Sequence, residues 1–263
     1  MSGQLKGRAA VVTGSTSGIG KAIATLFAAE GANVMLNGFG DAAQIEAQRA
    51  ELAKAHGVKV EYHGADMTKP AEIRDLIARA EAAFGAVDIL VNNAGIQHVA
   101  PLADFPEDKW DAIIAINLTS AFHSTKAALA GMKRRRSGRI INIASTHGLV
   151  ASPNKSAYIA AKHGIVGLTK ATAVEIAEEG IRANAICPGF VHTPLVQKQI
   201  EDRAREAGVS VEKATRDIIL APVPTKEFVT VEQIAGTAVF LCSPAADQIT
   251  GAQFSVDGGW TAR

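Results

Sequence analysis

Cysteine is nearly missing: Cys187 and Cys242 are the two in the chain, far apart and each inside an apolar stretch, ANAICPG and VFLCSP. Such usage excludes a disulfide scaffold and a thiolate metal centre, and points to reduced, buried thiols in reducing surroundings. Net charge is missing as well, with 27 basic residues against 26 acidic ones, so nothing draws the chain toward nucleic acid or an anionic membrane. No run approaches the ~20 apolar residues of a membrane helix, and the opening MSGQLKGRAAVV has neither the basic region nor the long apolar core of a secretion signal. A cytoplasmic protein with a small-molecule partner is expected, without metal, membrane or nucleic acid. Repeats, low-complexity tracts and Pro/Ser-rich linkers are also lacking, and 263 residues fit a single α/β domain.

What is present is a regular alternation. RAAVVTG, NVMLNG, VKVEYHG, VDILVNN, GRIINIAS, IRANAICPG and AQFSVDG are short apolar runs that read as buried strands. Between them, 18–30, 41–56, 70–84, 107–136 and 156–179 carry apolar residues at helical spacing. The expected fold is therefore a doubly wound, Rossmann-type domain with a mostly parallel seven-stranded sheet. Ligands of such sheets sit beyond the carboxyl ends of the strands. The pattern breaks over 190–224, where VQKQIEDRAREAG and SVEKATRDIIL suggest a small helical insertion able to act as a lid or stand as a rigid surface unit. The basic run Lys133, Arg134, Arg135, Arg136, with Arg139, falls where a long helix should end and complements its dipole; it has no interleaved aromatics to bind nucleic acid.

The first strand runs into Gly14, Ser15, Thr16, Ser17, Gly18, Ile19 and Gly20 before a helix begins. Small residues there allow a sharp turn and close backbone approach, and the free N–H groups of the helix end suit a diphosphate. Asp66, beside Met67 after the third strand, can accept from an adenine amino group, or instead cap the helix at Pro70. Asn92, Ala94 and Gly95 follow the fourth strand where a ribose can pass, although Asn92 can equally just pair backbone between strands. The second strand ends in Asn37, Gly38, Phe39 and Gly40, with neither an acid for a ribose hydroxyl nor a base for a 2′-phosphate. An unpaired phosphate is the costlier omission, so NAD is expected rather than NADP, with Asn37 or backbone groups meeting the hydroxyl.

Tyr158 and Lys162 stand four apart in SAYIAAKHG, thirteen residues after Ser145. On a helix they share a face, so a phenol whose pKa is ordinarily about 10 sits beside a cation that favours its ionised form. Alone, such a pair is an ordinary amphipathic face. Together with TGSTSGIG (13–20), NNAG (92–95), Asn117, Ser145 and PGFVHTP (188–194), in this order along nearly the whole chain, it resembles the short-chain dehydrogenase/reductase family.

That resemblance implies Tyr158 as acid/base, Ser145 holding the substrate oxygen, and Asn117 kinking its helix and holding a water near Lys162. It also places Tyr158, Lys162, Pro188, Gly189, Val191 and Thr193 against the cofactor. GIQHVAPL (95–102), STHGLVAS (145–152), NKSAYIAAKHG (154–164) and TPLVQKQI (193–200) are similar to members that act on a short 3-hydroxy acid. The implied reaction is reversible oxidation of (R)-3-hydroxybutyrate to acetoacetate. Gln97, His147, Lys155 and Gln199 then form a carboxylate clamp, with Phe190, Leu195 and Trp260 an apolar wall. Phe190 stands where such members often carry Trp, which leaves room for a slightly longer acid. Relatives usually form homotetramers through the 107–136 and 156–179 helices. The competing readings are a relative with another hydroxy acid, polyol or 3-oxoacyl substrate, and a silent NAD-binding regulator.

Overall fold

The computed structural model describes residues 3–192 and 194–262, apart from the side chains of Pro194, Leu195 and Gln199. Seven strands form: β1 (Ala9–Val12), β2 (Asn33–Asn37), β3 (Val60–His63), β4 (Ile89–Asn92), β5 (Gly138–Ile143), β6 (Ile181–Pro188) and β7 (Gln253–Val256). Every pairing is parallel, in the order β3-β2-β1-β4-β5-β6-β7. The sheet is thus wholly parallel where a mostly parallel one was expected. Strand order reverses between β1 and β4, so their carboxyl ends open a crevice there.

Helices cover both faces. On one lie α1 (Gly18–Ala29), α2 (Ala42–His56) and, from the far end of the chain, Val231–Leu241; Ile23, Phe27, Leu52, Ile234 and Ala238 pack there on Val12, Val34 and Ile141. On the other lie α3 (Pro70–Phe84) and the long helical stretches that follow it, through Ile73, Leu76, Ile77, Ala128, Met132 and Ala173. Burial on both sides is why the strands read as continuous apolar runs.

The expected single helix over 107–136 is instead α4 (Glu107–Ile114), a π turn at Ala115–Thr119 and α5 (Ser120–Arg135). A π turn inserts a wider ring into the helical ladder, and Asn117 occupies it. The basic run sits at the end of α5, where Lys133 and Arg136 lie 3.6 Å and 3.8 Å from Glu179 and Arg135 donates to the Val87 carbonyl at 2.7 Å. Next comes α6 (Ser156–Glu175), and beyond β6 the 190–224 insertion forms α7 (Pro194–Ala207) and α8 (Val211–Lys213), which runs into a π turn at Ala214–Ile219. Its small core of Ile200, Ala204 and Ala214 packs on Phe228. The last helix, α9, is Val231–Leu241, started by a Thr230/Gln233 capping box. No helix among the described residues is long and apolar enough to cross a membrane.

A seam of polar side chains runs through the buried middle. Asn92 of β4 donates to Asn142 of β5 at 2.8 Å and to Thr125 at 3.2 Å, and accepts from Ser124 at 2.6 Å. Asn142 in turn donates to Thr169 of α6 at 2.8 Å. All five residues are buried, so each lost partner strands another polar group away from water. Asn92→Leu should destabilise the fold by about 2–3 kcal/mol, read by urea unfolding. A loss within about 0.5 kcal/mol would mean that the seam contributes nothing.

Candidate active site

One cleft of about 870 Å³ opens over the carboxyl ends of the strands and runs from the glycine-rich turn to the C-terminal turn. At one end Gly14, Thr16, Ser17, Gly18 and Ile19 line it. Gly14 has φ +62°, and a Cβ there would sit 2.9 Å from the Ala94 Cα. Ser17, at the N-cap of α1, makes no side-chain capping bond, which leaves the first N–H groups of the helix for an anion. Gly20 does not face the cleft: a Cβ on it would collide with the Gly14 carbonyl oxygen, so its role is to let α1 pack beneath the turn.

Further along, Phe39, Ala65, Asp66 and Met67 line the cleft, Phe39 being 68% exposed at its lip. One Asp66 carboxylate oxygen accepts from the backbone and hydroxyl of Thr68 at 2.9 and 2.8 Å, and those bonds hold its pKa below the usual carboxylate range. The ionised group is a ready acceptor; the Pro70 helix takes Lys69 as its N-cap. Asn37 lines the cleft but is not free to meet a ribose. Its amide donates to the carbonyls of His63 and Ala65, both at 3.0 Å, and accepts from Gly14 N at 3.3 Å.

Asn92 likewise departs from its expected place, because the polar seam occupies it and it is not among the cleft-lining residues. Its neighbour Asn93, which the sequence reading passed over, donates to the carbonyls of Thr13 and Gly14 at 2.9 Å each and braces the turn beside Ala94 and Gly95. The signal was there in the doubled amide, but spacing does not say which of the two faces in. Asn117 is off the cleft wall too. Its side chain accepts from Ile96 N at 2.8 Å and donates to Ile96 O at 2.9 Å, tying the loop after β4 to the π turn.

At the other end the chain brings together Gln97, Ser145, His147, Lys155, Tyr158, Lys162, Phe190 and Trp260. Burial pushes up the pKa of the half-buried Tyr158 phenol, and the neighbouring Ser145 hydroxyl draws it back. Lys162 lies below, its ammonium 5.5 Å from the Tyr158 ring centre and donating to the Ile143 carbonyl at 2.7 Å. Burial lowers its pKa to about 8. A cation, a hydroxyl and a phenol therefore meet at one point, suited to moving a proton to or from an oxygen.

Around that point stands an aromatic corner. Phe190 stacks on Trp260 at 4.9 Å, and His147 meets Trp260 edge-on at 5.4 Å and Tyr158 at 6.1 Å. Asp257 accepts from Gly259 N and Thr261 N and so folds the C-terminal turn that carries Trp260. Burial, then the charge of Lys155, lowers the His147 pKa to about 4, leaving a neutral ring 2.9 Å from the Ser152 hydroxyl. Lys155 lies 5.9 Å from the Phe190 ring centre, its own pKa lowered by burial. Gln97 completes the group with a buried amide nitrogen that has no acceptor among the described residues. Pro188, Gly189 and Val191 line the floor, with Ile96, Ile116, Ile143, Thr146 and Val196 added to the expected set. Thr193 and the side chains of Leu195 and Gln199 lie outside the described residues.

A family model described as enoyl-(acyl carrier protein) reductase matches residues 14–261. The D-beta-hydroxybutyrate dehydrogenase of Cupriavidus necator is 61% identical, covering 98% of this chain and 100% of the relative. That of Rhizobium meliloti is 55% identical over 97% and 99%. A solved Sinorhizobium meliloti protein, provisionally assigned as a short-chain alcohol dehydrogenase, superposes with a TM-score of 0.88 at 35% identity over 100% of this chain and 99% of its own. Matches spanning the chain, with the glycine cradle, Ser145, Tyr158 and Lys162 gathered in one cleft, lead to one conclusion: the chain belongs to the short-chain dehydrogenase/reductase family of nicotinamide-dependent oxidoreductases.

Proposed function

We propose that the chain catalyses the reversible oxidation of (R)-3-hydroxybutyrate to acetoacetate with NAD. The observation that carries the choice of substrate is the Gln97 amide nitrogen, a buried donor that meets no acceptor among the described residues, in the same cleft as Lys155 and His147. A buried donor costs free energy until an acceptor arrives, and a carboxylate meets that need while neutralising Lys155. The two relatives named as D-beta-hydroxybutyrate dehydrogenases support the same acid and the same hand.

In this reading Lys155 carries the charge that holds the carboxylate, and Gln97 and His147 orient it. Gln199 arrives with the 190–224 segment acting as a lid. Ser145 holds the substrate oxygen against Tyr158, which takes its proton during oxidation and returns it during reduction. Protonated Lys162 lowers the cost of the phenolate. The nicotinamide cofactor, when bound, supplies the hydride acceptor. NAD is favoured over NADP because Lys155 and Lys162 are the only cationic side chains lining the described cleft, and both lie at the substrate end. Exposed Phe122 on α5 and Val174 on α6, the latter 80% exposed, support pairing of subunits through those helices in a homotetramer. The two buried thiols support a reducing, cytoplasmic setting.

Absorbance of reduced nicotinamide tests the whole reading: R substrate with NAD should be turned over at least about tenfold better than S substrate or NADP. Loss of either preference overturns that part of the assignment. Tyr158→Phe should lower kcat about 10³-fold while NADH binding, followed by fluorescence, is kept. Because the phenol must ionise to accept a proton, kcat/KM for oxidation should rise with pH, and Lys162→Met should move that rise to higher pH. Lys155→Ala and Gln97→Leu should each raise KM about tenfold or more, with kcat changed less. An unchanged KM in Lys155→Ala would remove the clamp.

A further inference from the structure

At the opposite end of the sheet from the catalytic cleft lies a second cavity of about 280 Å³, lined by Lys6, Gly7, Arg8, Asp88, Ser137, Gly138 and Arg139. It forms where the chain enters β1, β4 and β5, so three strand starts converge on it. Its charges are unevenly matched. Asp88 is engaged: one carboxylate oxygen accepts from Ala9 N at 2.9 Å, and the other lies 3.7 Å from the Arg135 guanidinium. Arg139 pairs with Asp247 and donates to the Gly138 carbonyl at 3.0 Å, yet its buried Nε has no acceptor among the described residues. Arg8 has one partner among the described residues, the neutral carbonyl of Cys242 at 2.7 Å. Lys6 is exposed at the rim, and no acidic group among the described residues pairs with it.

We propose that this cavity is a binding site for a phosphate-type oxyanion, held by Lys6 and Arg8 over a floor made by Arg139. Lys6 and Arg8 face the cavity with no carboxylate paired to either among the described residues, Asp88 being committed to Ala9 and Arg135, and Arg139 is under-satisfied inside it, where charge-assisted bonds gain most. A tetrahedral dianion offers oxygens in several directions at once, which two separated cations and the Ser137 hydroxyl can share. Burial holds the Arg139 pKa below its ordinary value despite Asp247, as expected of a cation short of counter-charge. The site is independent of the dehydrogenase reading, since no residue lining it lines the catalytic cleft.

Calorimetric titration of inorganic phosphate tests this, with the protein held saturated with NADH to occupy the glycine cradle and with ionic strength kept constant by chloride. A saturable site is expected, weakened about tenfold or more in both Lys6→Gln and Arg8→Gln, with alcohol oxidation unchanged in each. Heat that does not saturate overturns the proposal. So does an affinity unchanged in Lys6→Gln, the variant that removes no described contact within the fold and so keeps the test valid if Arg8→Gln fails to fold.

Discussion

A sheet covered on both faces has no water to satisfy polar side chains in its middle, and the fold depends on how it meets that constraint. The Asn92–Asn142 pair crosses β4 and β5 at the register that pairs their backbones. Through Ser124 and Thr125 it reaches α5, and through Thr169 it reaches α6. The helix that carries Tyr158 and Lys162 is therefore tied to the strands whose ends carry Ala94, Gly95 and Ser145. Apolar packing alone tolerates small slides between elements; directional bonds among buried amides and hydroxyls do not. In the proposed reaction, passing a proton from a substrate oxygen held by Ser145 to Tyr158 needs positions fixed within fractions of an ångström, and the seam ties the elements that carry both residues from beneath.

Charge is distributed along the cleft with the same economy. Among its described lining residues the one carboxylate is Asp66, at the end that holds the glycine-rich turn, and the two ammonium groups are Lys155 and Lys162, at the other. Burial lowers the pKa of both lysines, which marks them as cations short of counter-charge. Burial also keeps His147 neutral near pH 7, so a third positive charge is not added to the same corner. An anion entering there relieves two desolvated cations at once, and that favours acids over neutral alcohols in the proposed reaction.

The strand and helix order was legible in the sequence because both faces of the middle of the sheet are dry, so the inner strands read as mostly apolar runs between periodic helices, while the half-exposed edge strands β3 and β7 carry more polar residues. The gathering of Ser145, Tyr158 and Lys162 was legible for a simpler reason: helical spacing fixes the last two on one face, and a parallel sheet puts strand ends on one side. The asparagines were not. Asn37 and Asn92 looked like groups facing a ligand, yet each has its amide committed to backbone or core partners; Asn117, expected to kink its helix and hold a water, has its amide bonded to Ile96. An amide can satisfy itself in either setting, and which carbonyls lack partners is decided only when loops from distant parts of the chain meet. The resemblance placed a kink at Asn117, but the form it takes, a π turn at 115–119 in which Asn117 meets Ile96, is not written in the local composition.

The aromatic corner links this geometry to substrate size. Trp260 is planted by the Asp257 turn, Phe190 lies flat on it, and His147 meets it edge-on. A stacked pair is a firm wall, because shifting either ring loses contact with the other. Under the proposed reading that wall receives the methyl end of the substrate, Lys155 and Gln97 receive the carboxylate, and Ser145 and Tyr158 receive the hydroxyl. Three chemically unlike walls around one carbon are what separates two enantiomers, because exchanging any two groups sets a methyl against a cation or a carboxylate against a ring. The Lys155 ammonium lies over the Phe190 face, a contact of about 1 kcal/mol at a partly exposed site. A carboxylate offers that ammonium more, so it can draw Lys155 from the ring, clearing the Phe190 surface as the anion binds. Charge capture and the opening of the apolar wall then become one event, which ties recognition of the acid end to recognition of the methyl end.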